Sequence, residues 1–156
     1  SFNLVDCIKV GIGVSKSCRT REYTGFGSTT LGSLQECANV SDLDIMSDGG
    51  ITEGADSVHI GDVAKAIAFG ADWVMSGALF KKCIDSPSVV HGYFGNASRD
   101  AKGNDHVEGE TIKVETNGLT LKEMRKLIQE SLRSSISYGG VRKAHELYCA
   151  EYRVIT

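Results

Sequence analysis

Among 156 residues there is one proline, one tryptophan and no pair of cysteines spaced as CxxC. The five cysteines, Cys7, Cys18, Cys37, Cys83 and Cys149, are odd in number and widely spaced, so neither a disulfide framework nor a zinc site is indicated and reduced thiols are expected. The four histidines, His59, His91, His106 and His145, show no ligand spacing, which leaves a metal-hydrolase reading without support. No apolar segment approaches the length needed to cross a bilayer. The amino terminus lacks the basic-then-apolar pattern of a secretion signal, so a cytoplasmic location is expected. A net charge of -3 with no basic run argues against nucleic-acid or membrane-surface binding and leaves small molecules as the expected partners. With 41% hydrophobic residues, the chain can bury one sizeable core, as a single soluble domain.

The stretch IKVGIGVSKSCRTR (8–21) carries the most chemistry. Ile8 and Val10 alternate with Lys9 in a β-prone run, and Gly11 and Gly13 mark a turn, which predicts a strand ending near Ile12. Lys16, Arg19 and Arg21 bracket Cys18, and positive charge favours the thiolate that attacks electrophilic carbon. Thr20, two residues on, is placed to pass a proton. Spacing alone leaves two readings open, a nucleophile or a buried thiol acting as a small apolar side chain. The other four cysteines lie in apolar or helix-like surroundings; Cys18 alone sits in a glycine-rich cationic loop.

Further along, Gly25 and Gly27 read as a continuing loop, and LGSLQECANV (31–40) has helical spacing through Leu31, Leu34, Cys37 and Ala38. DIMSDGG (44–50) reads as a buried strand opening into a tight turn. After a polar excursion over 51–60, Val63, Ala64, Ile67 and Ala68 share one helical face, with Gly70 as the stop. ADWVMSGALF (71–80) is a third, nearly unbroken apolar run ending in Ser76, Gly77 and Ala78. Strands alternating with helices at this spacing predict a parallel sheet covered by helices on at least one side, with functional groups at the carboxyl ends of the strands. Those ends carry glycine-rich polar turns at 11–18, 48–50 and 76–78, which together suit an anion of phosphate size, although any one of them alone reads more readily as a plain turn.

Residues 85–118 are polar, charged and longer than an ordinary connector, which fits a lid or a disordered segment; Glu108 within it is an acid or base only if it faces a site. The segment 119–148 predicts an amphipathic helix with Met124, Leu127, Ile128 and Leu132 inward, closing near Tyr138 and Gly139.

GIGVSKSCRTR, then DGGI, GDVAKAIAFGADWVMSGALF, YFGNAS and HVEG, in this order, resemble the GMP reductase and IMP dehydrogenase family over most of the chain. The resemblance implies an α/β fold, the (β/α)8 TIM barrel, of which this chain supplies the last three strands, the flap at about 85–118 and the terminal helix, all of 1–156 belonging to one catalytic barrel domain. Three strands cannot close where a barrel needs eight, in about 250 residues. A fragment, a split chain or part of a longer polypeptide is therefore expected, and Ser1 need not be a true amino terminus.

By the same resemblance, Cys18 is the nucleophile that attacks purine C2, and Thr20 and Glu108 manage the proton of the departing ammonia. Asp48, Gly49, Gly50, Gly77, Ala78, Gly95, Asn96, Ala97 and Gly109 are implied substrate contacts. Ile12, Gly13, Asn96, Ser134, Ser135, Ile136 and Ser137 are implied contacts for NADPH, and Gly13, Ser15, Cys18 and Arg21 for a monovalent cation, K+. The implied activity is NADPH-dependent conversion of GMP to IMP and ammonia, in a homotetramer. The alternative is IMP dehydrogenase, whose flap carries an arginine-tyrosine pair; here Arg99 is followed by Asp100, and 99–118 holds no tyrosine. A nucleotide-binding half-barrel inactive alone is the third reading. Val14 and Ser15 stand where the family usually has proline and glycine, Lys16 where it often has serine, Ala78 replaces a glycine or serine, residues 52–60 look inserted, and Asp105 stands where a cation is common.

Overall fold

The computed structural model describes residues 5–15, 18–51, 59–94 and 111–150. Three strands, β1 (Cys7–Val10), β2 (Asp44–Asp48) and β3 (Trp73–Met75), form a parallel sheet in the order β1-β2-β3. Ile8 stands opposite Ile45, Lys9 opposite Met46, and Ser47 opposite Val74. Because side chains alternate along a strand, this register puts Ile8, Val10, Ile45, Ser47 and Val74 on one face. Lys9, Asp44, Met46, Asp48, Trp73 and Met75 share the other.

The first face is the core side. Val10 and Ile45 are buried there with Leu34, Val63, Ala66, Leu79, Cys83 and Met124. These come from helices α2 (Thr30–Val40), α3 (Gly61–Ala68), α4 (Gly77–Phe80) and α6 (Leu121–Tyr138) and the turn after α4. Two shorter helices, α1 (Thr20–Thr24) and α5 (Pro87–His91), and a 3-10 helix, Ala144–Cys149, complete the described elements. The opposite face keeps Trp73 57% and Met75 44% exposed, so among the described residues the helices cover one side of the sheet.

The expected strand–helix alternation is present, with four differences of detail. β1 stops at Val10 instead of near Ile12, because Gly11 takes φ +140° and brings its Cα against the Asp48 carbonyl. The run 71–80 divides into a three-residue strand and the one-turn helix α4: Ser76 Oγ accepts from Leu79 N at 3.3 Å, capping a helix where a plain turn was expected at 76–78. The stretch before Gly25, expected as loop, holds α1, closed by Gly25 in the left-handed region. On α6, Met124 is fully buried and Ile128 and Leu132 pack on the core, but Leu127 is exposed. Positions 124, 128 and 132 repeat every fourth residue along one stripe, and Leu127 sits about 100° from Ile128 around the axis.

Among the cysteines, Cys83 is buried as expected, while Cys149 is exposed at the end of the 3-10 helix. Burial, with Asp85 adding its charge, pushes the Cys83 thiol up and keeps it protonated.

Candidate functional site

The turns that follow β1 and β2 interlock. A Cβ on Gly11 would overlap the Asp48 carbonyl, one on Gly49 would stand 2.8 Å from Val14 Cγ2, and one on Gly50 2.9 Å from Thr30 Oγ1. Backbone thus packs on backbone, and Val14 fills the space that Gly49 and Gly50 leave. This contact ties the Cys18 loop to the end of β2.

Cys18 donates its backbone N–H to the Ser15 carbonyl at 3.0 Å, which folds the loop back on itself. Its half-buried Sγ lies 3.0 Å from Thr20 Oγ1, close enough for a proton to be shared between thiol and hydroxyl. Thr20 opens α1, so a helix sets its side-chain direction. The cations expected to favour the thiolate have other partners. Arg19 Nε donates to Glu22 at 2.8 Å, with its guanidinium 4.9 Å from the centre of the Tyr23 ring, and Arg21 Nη2 donates to the Ser28 carbonyl. Lys16 lies outside the described residues.

At the end of β2, the Asp48 carboxylate pairs with Lys9 Nζ at 2.7 Å on the uncovered sheet face. At the end of β3, Ser76 Oγ donates to the Ile51 carbonyl at 3.1 Å, joining the turns after β2 and β3. Gly77 and Ala78 start α4, and the Tyr93 hydroxyl lies against Gly77 where any side chain would clash. Tyr93 is fixed by paired backbone hydrogen bonds with Ile112, at 2.9 and 2.7 Å, and Lys81 Nζ sits 4.9 Å from its ring centre. All three strand ends therefore meet at one rim: a thiol with a hydroxyl, a carboxylate with an ammonium, and a small-residue turn beside a phenol.

A protein-family model described as "IMP dehydrogenase / GMP reductase domain" matches residues 3–154. The chain belongs to the IMP dehydrogenase / GMP reductase family. Relatives include a GMP reductase of Leptothrix cholodnii, 41% identical over 96% of this chain and 47% of its own, and one of Pediococcus pentosaceus, 40% identical with the same coverage. An inosine 5'-monophosphate dehydrogenase from Legionella pneumophila superposes with a TM-score of 0.74 at 31% identity, over 98% of this chain and 50% of that one. The chain spans about half the length of the curated relatives it matches. Its three-stranded open sheet is accordingly part of the family's TIM barrel.

The family motifs divide between the strand ends and residues 95–110, which lie outside the described residues. Cys18, Thr20, Asp48, Gly49, Gly50, Gly77 and Ala78 stand together at the strand ends. Glu108, Gly95, Asn96, Ala97 and Gly109 lie outside the described residues, as does most of the 52–60 insertion. Ile12, 64% exposed in the turn after β1, presents an uncovered apolar side chain that suits a flat aromatic ring such as nicotinamide. Ser134, Ser135, Ile136 and Ser137 lie on α6, where Ser134 and Ser135 line an open groove of about 410 Å³ against α3 and the 3-10 helix. The lining of that groove contains nothing from the Cys18 loop, so within the described residues the implied NADPH set is divided between that groove and the turn after β1.

The residues implied for potassium lie in the turn after β1 and at the start of α1. The Ser15 carbonyl accepts from Cys18 N and the Arg21 carbonyl from Gly25 N, each at 3.0 Å, and the Arg21 side chain itself lies against Gly13.

Two neighbours were missed from sequence. Lys9 looked like the polar member of an alternating strand, and its pairing with Asp48 is visible only once β1 and β2 are in register. Tyr93, at the start of YFGNAS, is brought to Gly77 by a chain reversal with no local sequence signal.

Proposed function

We propose that the intact protein is a GMP reductase, converting GMP to IMP and ammonia through a covalent adduct of Cys18 at purine C2, with NADPH as reductant. The observation that carries this reading is the 3.0 Å pair of Cys18 Sγ and Thr20 Oγ1 at the strand ends, supported by curated GMP reductases about 40% identical over 96% of the chain.

In this scheme Cys18 adds as thiolate to C2, forming a C–S bond, and the exocyclic amine leaves as ammonia after protonation. Thr20 relays that proton, with Glu108 as its expected source. NADPH, when bound, supplies the hydride that C2 then accepts. The C–S bond breaks with the electron pair returning to sulfur, and Cys18 is regenerated. Asp48, held by Lys9, accepts hydrogen bonds from the ribose hydroxyls, and the turns at 49–50 and 77–78 offer backbone N–H groups to the phosphate. Ile12 gives the nicotinamide an apolar wall that excludes water. The domain is one catalytic barrel, flap included, acting in the cytoplasm as a homotetramer without nucleic-acid or membrane partners.

A second reading, IMP dehydrogenase, draws on the Legionella structure; the absence of tyrosine in 99–118 weighs against it. The deciding experiment follows GMP-dependent NADPH oxidation by the full-length protein, beside IMP-dependent NAD reduction. GMP-dependent oxidation that falls by about 1,000-fold or more in Cys18→Ser is the expected result. Turnover only in the IMP direction, or a Cys18→Ser variant as active as wild type, rejects the proposal; no turnover in either direction favours a binding half-barrel.

A further inference from the structure

We propose that Lys81 is a positioning residue for Tyr93, and that through it the turn after β3 favours a ligand carrying a phosphate over the same ligand without one. Lys81 directly follows α4, and its backbone N–H donates to the Gly77 carbonyl at 2.9 Å, so Lys81 and Gly77 stand one helical turn apart. The half-buried Tyr93 side chain touches both. Its hydroxyl lies against Gly77, where a Cβ would also come 2.8 Å from Cζ and 2.9 Å from Cε2, and Lys81 Nζ sits 4.9 Å from the ring centre.

The backbone under this stack is fixed from two sides. Tyr93 and Ile112 exchange N–H donations at 2.9 and 2.7 Å, and the Lys82 carbonyl accepts from Asn117 N at 2.9 Å and from Thr116 Oγ1 at 3.2 Å. The remaining freedom is rotation of the phenol, and the ammonium beside its face limits it. A cation is attracted by the negative face of an aromatic ring, the more so where water is partly excluded. Lys81 thereby keeps the Tyr93 hydroxyl at the turn to which the reductase reading assigns the nucleotide phosphate. A hydroxyl held near a positive charge is a better donor to an anion than to a neutral group.

The inference rests on that reading of residues 77–78, so its test compares GMP with guanosine, which differ only in the phosphate. Calorimetric titration of GMP, and of guanosine by displacement of GMP, is carried out on the full-length protein. The variants are Lys81→Met, Lys81→Gln, Lys81→Arg, Tyr93→Phe and the Lys81→Met/Tyr93→Phe double variant. Lys126→Met, on the exposed side of α6, controls for loss of a remote charge. Lys81→Met and Lys81→Gln are expected to weaken GMP at least about fivefold and guanosine less than about twofold. In the Tyr93→Phe background, the added Lys81→Met change should cost less than about twofold, because the hydroxyl through which Lys81 acts is gone. Lys81→Arg, whose guanidinium also stacks on aromatic faces, should stay within about threefold of wild type, and Lys126→Met within about twofold.

A GMP affinity in Lys81→Met equal to that of wild type overturns the proposal. So does a guanosine affinity that falls in step with it, which would mark a merely structural role, or an undiminished Lys81→Met effect when the Tyr93 hydroxyl is absent. Should Lys81→Met lose its helical circular dichroism, Lys81→Gln decides the matter by the same comparison of GMP with guanosine. Wild type that binds GMP while these variants bind it equally well rejects the role of Lys81 alone; wild type that binds neither GMP nor IMP rejects the reductase reading and this inference with it.

Discussion

Lys9 Nζ and Asp48 Oδ2 stand 2.7 Å apart across β1 and β2, on the sheet face that the helices leave open. The pair is partly exposed, with the lysine side chain 58% and the aspartate 34% accessible, so its value is orientation of the carboxylate more than stability. If Asp48 meets the ribose, Lys9→Met in the full-length protein raises KM for the nucleotide about tenfold and leaves kcat within about threefold, because uniform binding is lost. Steady-state kinetics check this; a fall in kcat at unchanged KM would place Lys9 in the chemical step.

Gly11 has no room for a side chain. Its φ of +140° and the overlap that any Cβ would make with the Asp48 carbonyl predict that Gly11→Ala forces β1 and β2 apart at their carboxyl ends. A loss of about 2–4 kcal/mol is expected by urea unfolding. A variant within about 0.5 kcal/mol of wild type would show that the two turns do not interlock.

The core-facing stripe of α6 can be read by paired truncations. Met124→Ala, at a fully buried position, should cost about 2–5 kcal/mol, while Leu127→Ala, at a position 37% exposed, should cost below about 1 kcal/mol. Thermal melting of the two variants measures the contrast. Equal costs would mean that α6 is rotated from the position described.

The start of α6 is acid-sensitive. Thr120 and Glu123 form a reciprocal capping box, Thr120 N and Oγ1 both donating to the Glu123 carboxylate at 2.8 Å. The backbone bond first, then the hydroxyl bond, hold the Glu123 carboxyl below its ordinary value of 4.5. A depressed folded-state pKa means that this contribution is fully present above the ordinary pKa and is lost as pH falls through the folded one. Helicity followed by circular dichroism should therefore fall below pH 4.5 less steeply in Glu123→Gln than in wild type. Identical acid limbs would remove Glu123 from the cap.

Much of the fold was legible because its signals are local. Alternation in IKV and DIMSD, helical spacing at Val63, Ala64 and Ile67, and punctuation by Gly49, Gly50 and Gly70 each act within a few residues, and the structure puts strands and helices there. The family resemblance likewise rested on contiguous strings and is matched over residues 3–154. Other features depend on geometry that short windows do not hold. The run WVMSGALF showed its turn at 76–78, but that a helix starts there is decided by the Ser76 hydroxyl, which accepts from Leu79 N and donates to the Ile51 carbonyl. Leu127 carries the same apolar character as Ile128, and the one turned from the core is settled by where α3 and α4 lie against α6.

At the site the division is the same. Residue chemistry named Cys18, Thr20 and Asp48, because a thiol in a glycine-rich loop, a hydroxyl two positions on and a carboxylate at a strand end are properties of the chain read in line. Where the charges went was set by folding. Arg19 and Arg21 flank Cys18 in sequence, yet one turns to Glu22 and the other into the slot between Gly13 and Gly27, while Lys9 crosses to Asp48. Long cationic side chains reach several ångströms, and partners from other strands and turns compete for them. Covalent order therefore identifies the candidate reactive groups, and the register of β1 on β2 and the packing of their turns select which cation meets which anion or carbonyl.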